Sequence, residues 1–427
     1  MSIGRPHVIT TCWVLAIFIV GIPLYLFEPS RAVLGDFSVY FEAAQRVRNL
    51  ENLYDHSYSI RVADGRIFTL FYFYPPFLAH WLSFWGNLSF ENAKLLWVSL
   101  SFASLIASSW CLSDIFQRLR PGALKSETSL CLFLSLVLCF EPTYWGIKEG
   151  QVNAIILALI TGHICLFLRH KDGPAGAVLA IAALLKMSPF LLILLPLRLG
   201  RWRVIRSFAA TGLLAALFLL ATTPLSVYQD FLIPFGPLLS GTLERHYFFN
   251  FAFDKAVLQL FSADQSTALR FTIKLLLGTL PLVVAALPLT KGKEAQDTLI
   301  RYGMLTTSMI LLAPTLWGHH LVWALVPLCI LAGRSFPTKD LQLRHLTFTL
   351  GLFVLFSQVL LIQLQSCRAV FPGQCNPNQR GSEIVSFVGA GAPEILLHLT
   401  SALPGALLLA LIALLWKWRK EEGKSSP

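Results

Sequence analysis

Long apolar runs separated by short polar loops dominate the chain. Runs of about 17 to 25 apolar residues match the hydrocarbon thickness of a bilayer when helical, and a helix satisfies its own backbone polar groups there. The pattern predicts membrane helices near residues 8–27, 90–113, 128–143, 150–168, 174–186, 188–198, 206–223, 268–288, 299–316, 319–333, 345–364 and 394–416. These make about twelve crossings or half-crossings, some short or re-entrant, with both chain ends on the cytoplasmic side. The expected fold class is all-α: a polytopic integral membrane protein built as one transmembrane helix bundle over residues 1–427, with a short cytoplasmic tail at 417–427. The first run follows Arg5 and lacks a small-x-small cleavage site, so it reads as a retained span instead of a signal peptide.

Three interruptions carry information. After the first run, Phe37, Tyr40, Phe41, Ala44 and Val47 recur at helical spacing, with Ser38, Glu42, Gln45, Arg46 and Asn49 opposite. This predicts an amphipathic helix at a membrane surface with Asp36 at its head. The prolines of Tyr74-Pro75-Pro76-Phe77 and the closeness of the next run suggest a helix dipping into the outer leaflet, although a true crossing would fit the same residues. Within 174–198, Lys186-Met187-Ser188-Pro189 breaks the apolar run while basic residues flank both ends. A single kinked span would invert every later loop; a hairpin keeps the basic loops inside and puts Lys186 at its tip, about 18 Å from the inner end by helical rise. Two outer segments are large, at 28–89, which holds the amphipathic helix, and at 224–267.

Composition supports the membrane reading. The chain is 55% hydrophobic and only 13% charged, whereas soluble domains carry roughly 25% charged residues. Its formal charge of +11 clusters in alternate loops, among them Arg198 to Arg206 and Lys417 to Lys420, which is the positive-inside pattern. Topology therefore accounts for the charge without nucleic acid as a partner. Six of the eight cysteines sit in apolar runs; Cys367 and Cys375 share a polar loop placed outside, in a compartment that permits a disulfide between them.

Four groups are placed at the outer face: Asp36, the run Glu149-Gly150-Gln151-Val152-Asn153, Lys186, and Pro314 to His320 with its adjacent His319 and His320. A carboxylate, a lysine and histidines at one interface suit group transfer from a phosphate-linked donor, where the carboxylate takes the attacking hydroxyl's proton and cations stabilise the departing phosphate. Each residue also has a plainer reading. Asp36 can cap its helix, Lys186 can reach toward headgroups, and the histidines can join the interfacial belt of Trp317 and Trp323. Gln151 and Asn153 can tie off a helix end, and Arg245 and His246 form a lone basic pair suited to solvent. Adjacent histidines point about 100° apart on a helix, so at most one faces a given site. No cysteine and histidine spacing suggests zinc, and Asp36 has no acidic neighbour in sequence, so no metal or other cofactor is expected.

Gly35-Asp36-Phe37 with Tyr40, Tyr74-Pro75-Pro76-Phe77, Lys94-Leu95-Leu96-Trp97, Gly150-Gln151-Val152-Asn153, Leu185-Lys186-Met187-Ser188-Pro189 and Trp317-Gly318-His319-His320 occur in this order. Together, over about residues 30 to 325, they resemble the polyprenol-phosphate-mannose-dependent mannosyltransferases of glycosyltransferase family 87, in the GT-C superfamily. The resemblance implies a multi-pass enzyme of the bacterial cytoplasmic membrane that moves a sugar, most often mannose, from a polyprenyl-phosphate donor to a glycolipid or glycan hydroxyl at the outer face. It implies Asp36 as general base of an inverting displacement, Lys186 and one of His319 or His320 at the donor phosphate or sugar, and Tyr40, Gln151, Asn153, Arg245 and His246 as candidate substrate contacts. The chain departs from the family at Phe249-Asn250-Phe251-Ala252-Phe253-Asp254, where relatives often carry an Asn-Gln-Ser-like segment. The rival readings are a transporter or flippase of lipid-linked sugars, which also uses broken helices and a deep lysine, and a histidine-dependent membrane O-acyltransferase, which leaves Asp36 unexplained.

Overall fold

The computed structural model describes residues 35–54, 58–61, 67–70, 72–239, 252–254, 267–287, 294–313, 315–335 and 403–417. The expected spans at 8–27 and 345–364, together with Arg245, His246, Cys367 and Cys375, lie outside the described residues. The chain divides into two units, residues 1–235 and 236–427.

In the first unit, α1 (Gly35–Arg48) is the amphipathic helix that the pattern predicts, burying Phe37, Val39, Tyr40, Ala43 and Ala44. The buried stripe is wider than the predicted face, because Val39 and Ala43 join it while Phe41 and Val47 stay half-buried. Asp36 occupies the first turn, where a negative charge suits the helix dipole. An antiparallel ribbon follows, β1 (Tyr58–Arg61) paired with β2 (Ile67–Leu70) from Tyr58 opposite Leu70 to Arg61 opposite Ile67. This ribbon is an addition to the all-helical expectation; its strands are four residues each, too short for a periodicity signal. Next, α2 (Pro76–Ser83) starts on a proline, whose missing N–H costs nothing at a helix's first turn. Its eight residues are too few to cross a bilayer, in line with the predicted dip.

Helix α3 (Phe90–Leu119) begins at Ser89, whose hydroxyl accepts the Asn92 N–H. The predicted span at 128–143 corresponds to α4 (Ser126–Cys139); α5 (Glu141–Glu149), which meets it at 61°, falls mostly between predicted spans. Phe140 between them is extended, and Pro142 in the first turn of α5 has no N–H with which to continue the ladder of α4. Then come α6 (Asn153–Leu168), α7 (Asp172–Leu185), a 3-10 turn at Ser188–Ile193 running into α8 (Leu194–Arg198), α9 (Trp202–Thr222) and α10 (Leu225–Leu239), which continues past the unit boundary. Among the described residues, α3 and α9 are long and apolar enough to cross a membrane, and the bent α4–α5 pair makes a third candidate if it is one span. Shorter apolar helices include α6, α7 and Ser188–Arg198.

The hairpin is visible in how α7 and the following turn return to one end. Arg201 donates from Nε to Asp172 Oδ2 at 3.0 Å, donates again to Asp172 Oδ1, and places its guanidinium 4.5 Å over the Phe167 ring. The start of α7 and the residues after α8 are thus clamped together, with Lys186 at the other end of α7. Gly176 lets α7 lie against the backbone of α9: a Cβ there would stand 2.2 Å from the Val204 carbonyl oxygen. Within a membrane, such close packing and interhelical hydroxyl bonds replace the hydrophobic drive; Ser113 and Ser129 supply one, joining α3 to α4 at 2.8 Å.

The second unit holds α11 (Thr267–Ala286), α12 (Glu294–Leu311), a 3-10 segment at Gly318–Ala324 running into α13 (Leu325–Ser335), and α14 (Leu403–Lys417). Arg301 and Asp297 form a fully buried ion pair at 2.8 Å one turn apart on α12. The same guanidinium caps α11 by donating to the Val284 and Ala285 carbonyls at 3.4 and 3.3 Å.

Candidate functional site

Gly150 ends α5 in the left-handed conformation, φ 71°, which a residue with a side chain adopts only with strain. That turn throws Gln151 and Asn153 inward at the head of α6, where they are 4% and 1% exposed. Trp97 of α3 locks the turn by donating from its indole to the Gly150 carbonyl at 2.8 Å.

Gln151 meets α1. Its amide nitrogen donates to Asp36 Oδ2, and its amide oxygen accepts the hydroxyls of Tyr40 at 3.1 Å and Tyr74 at 2.9 Å. The orientation of the amide follows from chemistry, since an ionised carboxylate only accepts and the flipped amide would face it oxygen to oxygen. Burial, the neighbouring Tyr74 and the Asp36 charge push the Tyr40 phenol well above its ordinary range, so Tyr40 keeps its proton and stays a donor. The two tyrosine rings meet edge to face at 4.8 Å, and Phe37 stacks on Trp97 at 5.3 Å, which packs α1 onto α3.

The same tyrosine reaches the hairpin. Lys186 caps α7 in an extended conformation, donates from Nζ to Asn153 Oδ1 at 3.1 Å, and holds its ammonium 5.5 Å from the Tyr74 ring centroid. Asp36, Gln151, Tyr74, Lys186 and Asn153 therefore form one connected chain of side chains drawn from separate stretches of sequence. Asp36 and Lys186 are both half-buried, in contrast to the buried amides between them. A carboxylate that can accept a proton and a cation, joined by one polar row, are equipped to act on a hydroxyl and a phosphate presented together.

Of the residues singled out from sequence, Asp36, Tyr40, Gln151, Asn153 and Lys186 come together here. Tyr74 was legible only as part of a proline-containing run, and its double contact makes it the member that sequence reasoning missed. In the second unit, His319 and His320 are 5% and 6% exposed, with ring planes at 88°, as expected of neighbours that face different directions. His320 accepts the Trp317 N–H at 3.3 Å and stacks on Trp323 at 5.6 Å, which is the work of a local brace. Asp254, from the segment that departs from the family pattern, pairs with Lys274 of α11 at 3.6 Å. Among the described residues no three His, Cys, Asp or Glu side chains gather in a way that could hold a metal ion.

A family model described as glycosyltransferase family 87 matches residues 72–314, more than half of the chain. The match contains Tyr74, Gln151, Asn153 and Lys186; Asp36 and Tyr40 precede it and the histidine pair follows it. The chain is 27% identical over 315 residues to the polyprenol-phosphate-mannose-dependent alpha-(1-2)-phosphatidylinositol pentamannoside mannosyltransferase of Mycolicibacterium smegmatis, covering 70% of this chain and 69% of that protein. It is 25% identical over 315 residues to the protein of the same name from Mycobacterium tuberculosis, covering 71% and 67% of the two chains. The polar row and the apolar helices around it thus belong to a sugar transferase: the chain is a member of glycosyltransferase family 87.

Proposed function

We propose that this enzyme transfers mannose from polyprenyl-phosphate mannose to a hydroxyl of a glycolipid at the outer face of the bacterial cytoplasmic membrane. The donor class and a glycolipid acceptor are those named in the two mycobacterial relatives. The observation that carries the reading is the row from Asp36 through Gln151 and Tyr74 to Lys186. In the reaction, the acceptor oxygen attacks the anomeric carbon while Asp36 takes its proton. The bond from that carbon to the phosphate oxygen breaks, and polyprenyl phosphate leaves with the electron pair. The Lys186 ammonium stabilises the negative charge gathering on the phosphate. Attack opposite the leaving group inverts the anomeric centre. An interfacial helix suits this chemistry because a lipid-linked donor presents its phosphate at headgroup depth, the level at which α1 would carry Asp36.

Mass spectrometry of envelope glycolipids from cells with and without the protein tests the proposal. Cells lacking it are expected to accumulate a glycolipid lighter by one hexose. An unchanged glycolipid profile contradicts the proposal, and a species lighter by a pentose would reassign the sugar.

A further inference from the structure

Gln151 performs no chemical step in the proposed reaction, yet three elements determine where its side chain lies. The left-handed turn at Gly150, locked by Trp97, fixes its backbone. The Tyr40 and Tyr74 hydroxyls, from α1 and from the run before α2, occupy its amide oxygen. Its amide nitrogen is thereby turned onto one oxygen of Asp36. We propose that Gln151 is a positioning residue for Asp36: held by the two tyrosine hydroxyls, it fixes one carboxylate oxygen so that the other meets the acceptor hydroxyl. The inference rests on Asp36 being the base.

The effect is geometric. A half-buried aspartate in the first turn of a helix has several staggered side-chain conformations open to it, and a base must sit within hydrogen-bond reach of the proton it takes. A single donor with a free amide would select among those conformations weakly, because the amide could turn over. Here turning over would cost two phenol bonds and bring a carbonyl against the carboxylate. Tyr74 extends the effect, since its hydroxyl holds Gln151 while its ring lies by the Lys186 ammonium. The base and the cation for the leaving phosphate are set by the same pair of side chains.

The test uses purified full-length wild type, Gln151→Ala, Gln151→Met, Tyr74→Phe and Asp36→Asn. Transfer from polyprenyl-phosphate mannose is measured onto the glycolipid extract of cells lacking the protein, with thermal unfolding as the folding control. Misplacement of a reacting group by about 1 Å costs on the order of a hundredfold. Gln151→Ala is expected to lose about that factor in kcat with the donor KM close to wild type, and to unfold at a modestly lower temperature because two phenol hydroxyls lose their acceptor; Tyr74→Phe is expected to lose less. Should Gln151→Ala yield no folded protein, Gln151→Met, of similar length and with no donor for Asp36, is held to the same criterion. If the glutamine variants keep wild-type kcat, or lose activity only through KM, while Asp36→Asn is inactive, the positioning role is overturned and the base assignment survives. If Asp36→Asn itself turns over normally, the base assignment falls and the positioning role with it.

Discussion

Replacing Gly176 with alanine probes whether the α7–α9 contact sets the position of Lys186. The added carbon would lie 2.2 Å from the Val204 carbonyl oxygen, 2.9 Å from the Phe208 nitrogen and 2.9 Å from Ser207 Cβ. Ordinary contact between such atoms needs about 3.5 Å, so α7 and α9 must separate by roughly 1 Å. Two of the three neighbours are backbone atoms and cannot rotate away. Overpacking of this kind costs about 1–3 kcal/mol. The displaced helix ends at Lys186, ten residues further along, and a shift of about 1 Å at a reacting group costs up to roughly a hundredfold in turnover. Gly173 lies on the same helix, and a methyl group added there would meet nothing within 4 Å. Gly173→Ala, which adds a methyl group in the first turn of the same helix, is therefore the matched control. Thermal unfolding in nanodiscs and transfer of labelled mannose, measured side by side, should show Gly176→Ala less stable and much slower than Gly173→Ala. Equal stability and equal turnover for the two variants would refute the reasoning.

Three other outcomes are expected. Arg301→Met should destabilise the second unit by about 3–5 kcal/mol, because it strands Asp297 in a fully buried site, and adding Asp297→Leu should recover much of the loss in thermal unfolding. His320→Ala should lower the unfolding temperature by removing its bond to Trp317 and its stack on Trp323. In an otherwise cysteine-free chain, an Asp36→Cys thiol should react with impermeant maleimide added outside intact cells; labelling only after the inner face is opened would place α1 on the wrong side.

Charged residues in an apolar chain announce themselves, and that is why Asp36 and Lys186 were legible from sequence. The hairpin was legible for a related reason: only a return of the chain kept Arg198 to Arg206 beside the earlier basic loops, and Arg201 is indeed clamped to Asp172. The partners of these residues were harder to read. Tyr40 and Gln151 stand 111 positions apart, and nothing in local pattern says that an aromatic on a surface helix will donate to a glutamine at the head of a distant one. Tyr74 looked like one more aromatic in a proline-containing dip, because a tyrosine's apolar ring hides its polar tip from any periodicity. The bend between α4 and α5 did leave a local mark, Glu141-Pro142 directly after Phe140, but those two residues fell at the end of the predicted span and read as its edge. The ribbon of β1 and β2 sits in a long outer segment whose four-residue strands do not repeat enough to show alternation.

The central claim is that Asp36 removes the acceptor proton during mannose transfer. It is tested most directly by following labelled mannose from polyprenyl phosphate to lipid with purified wild type and Asp36→Asn, matched for amount and unfolding temperature. Wild type should form a new mannolipid and the variant should lose at least a hundredfold, in keeping with the contribution of a general base of about 10²–10⁴. Product formation by Asp36→Asn at the wild-type rate would contradict the claim.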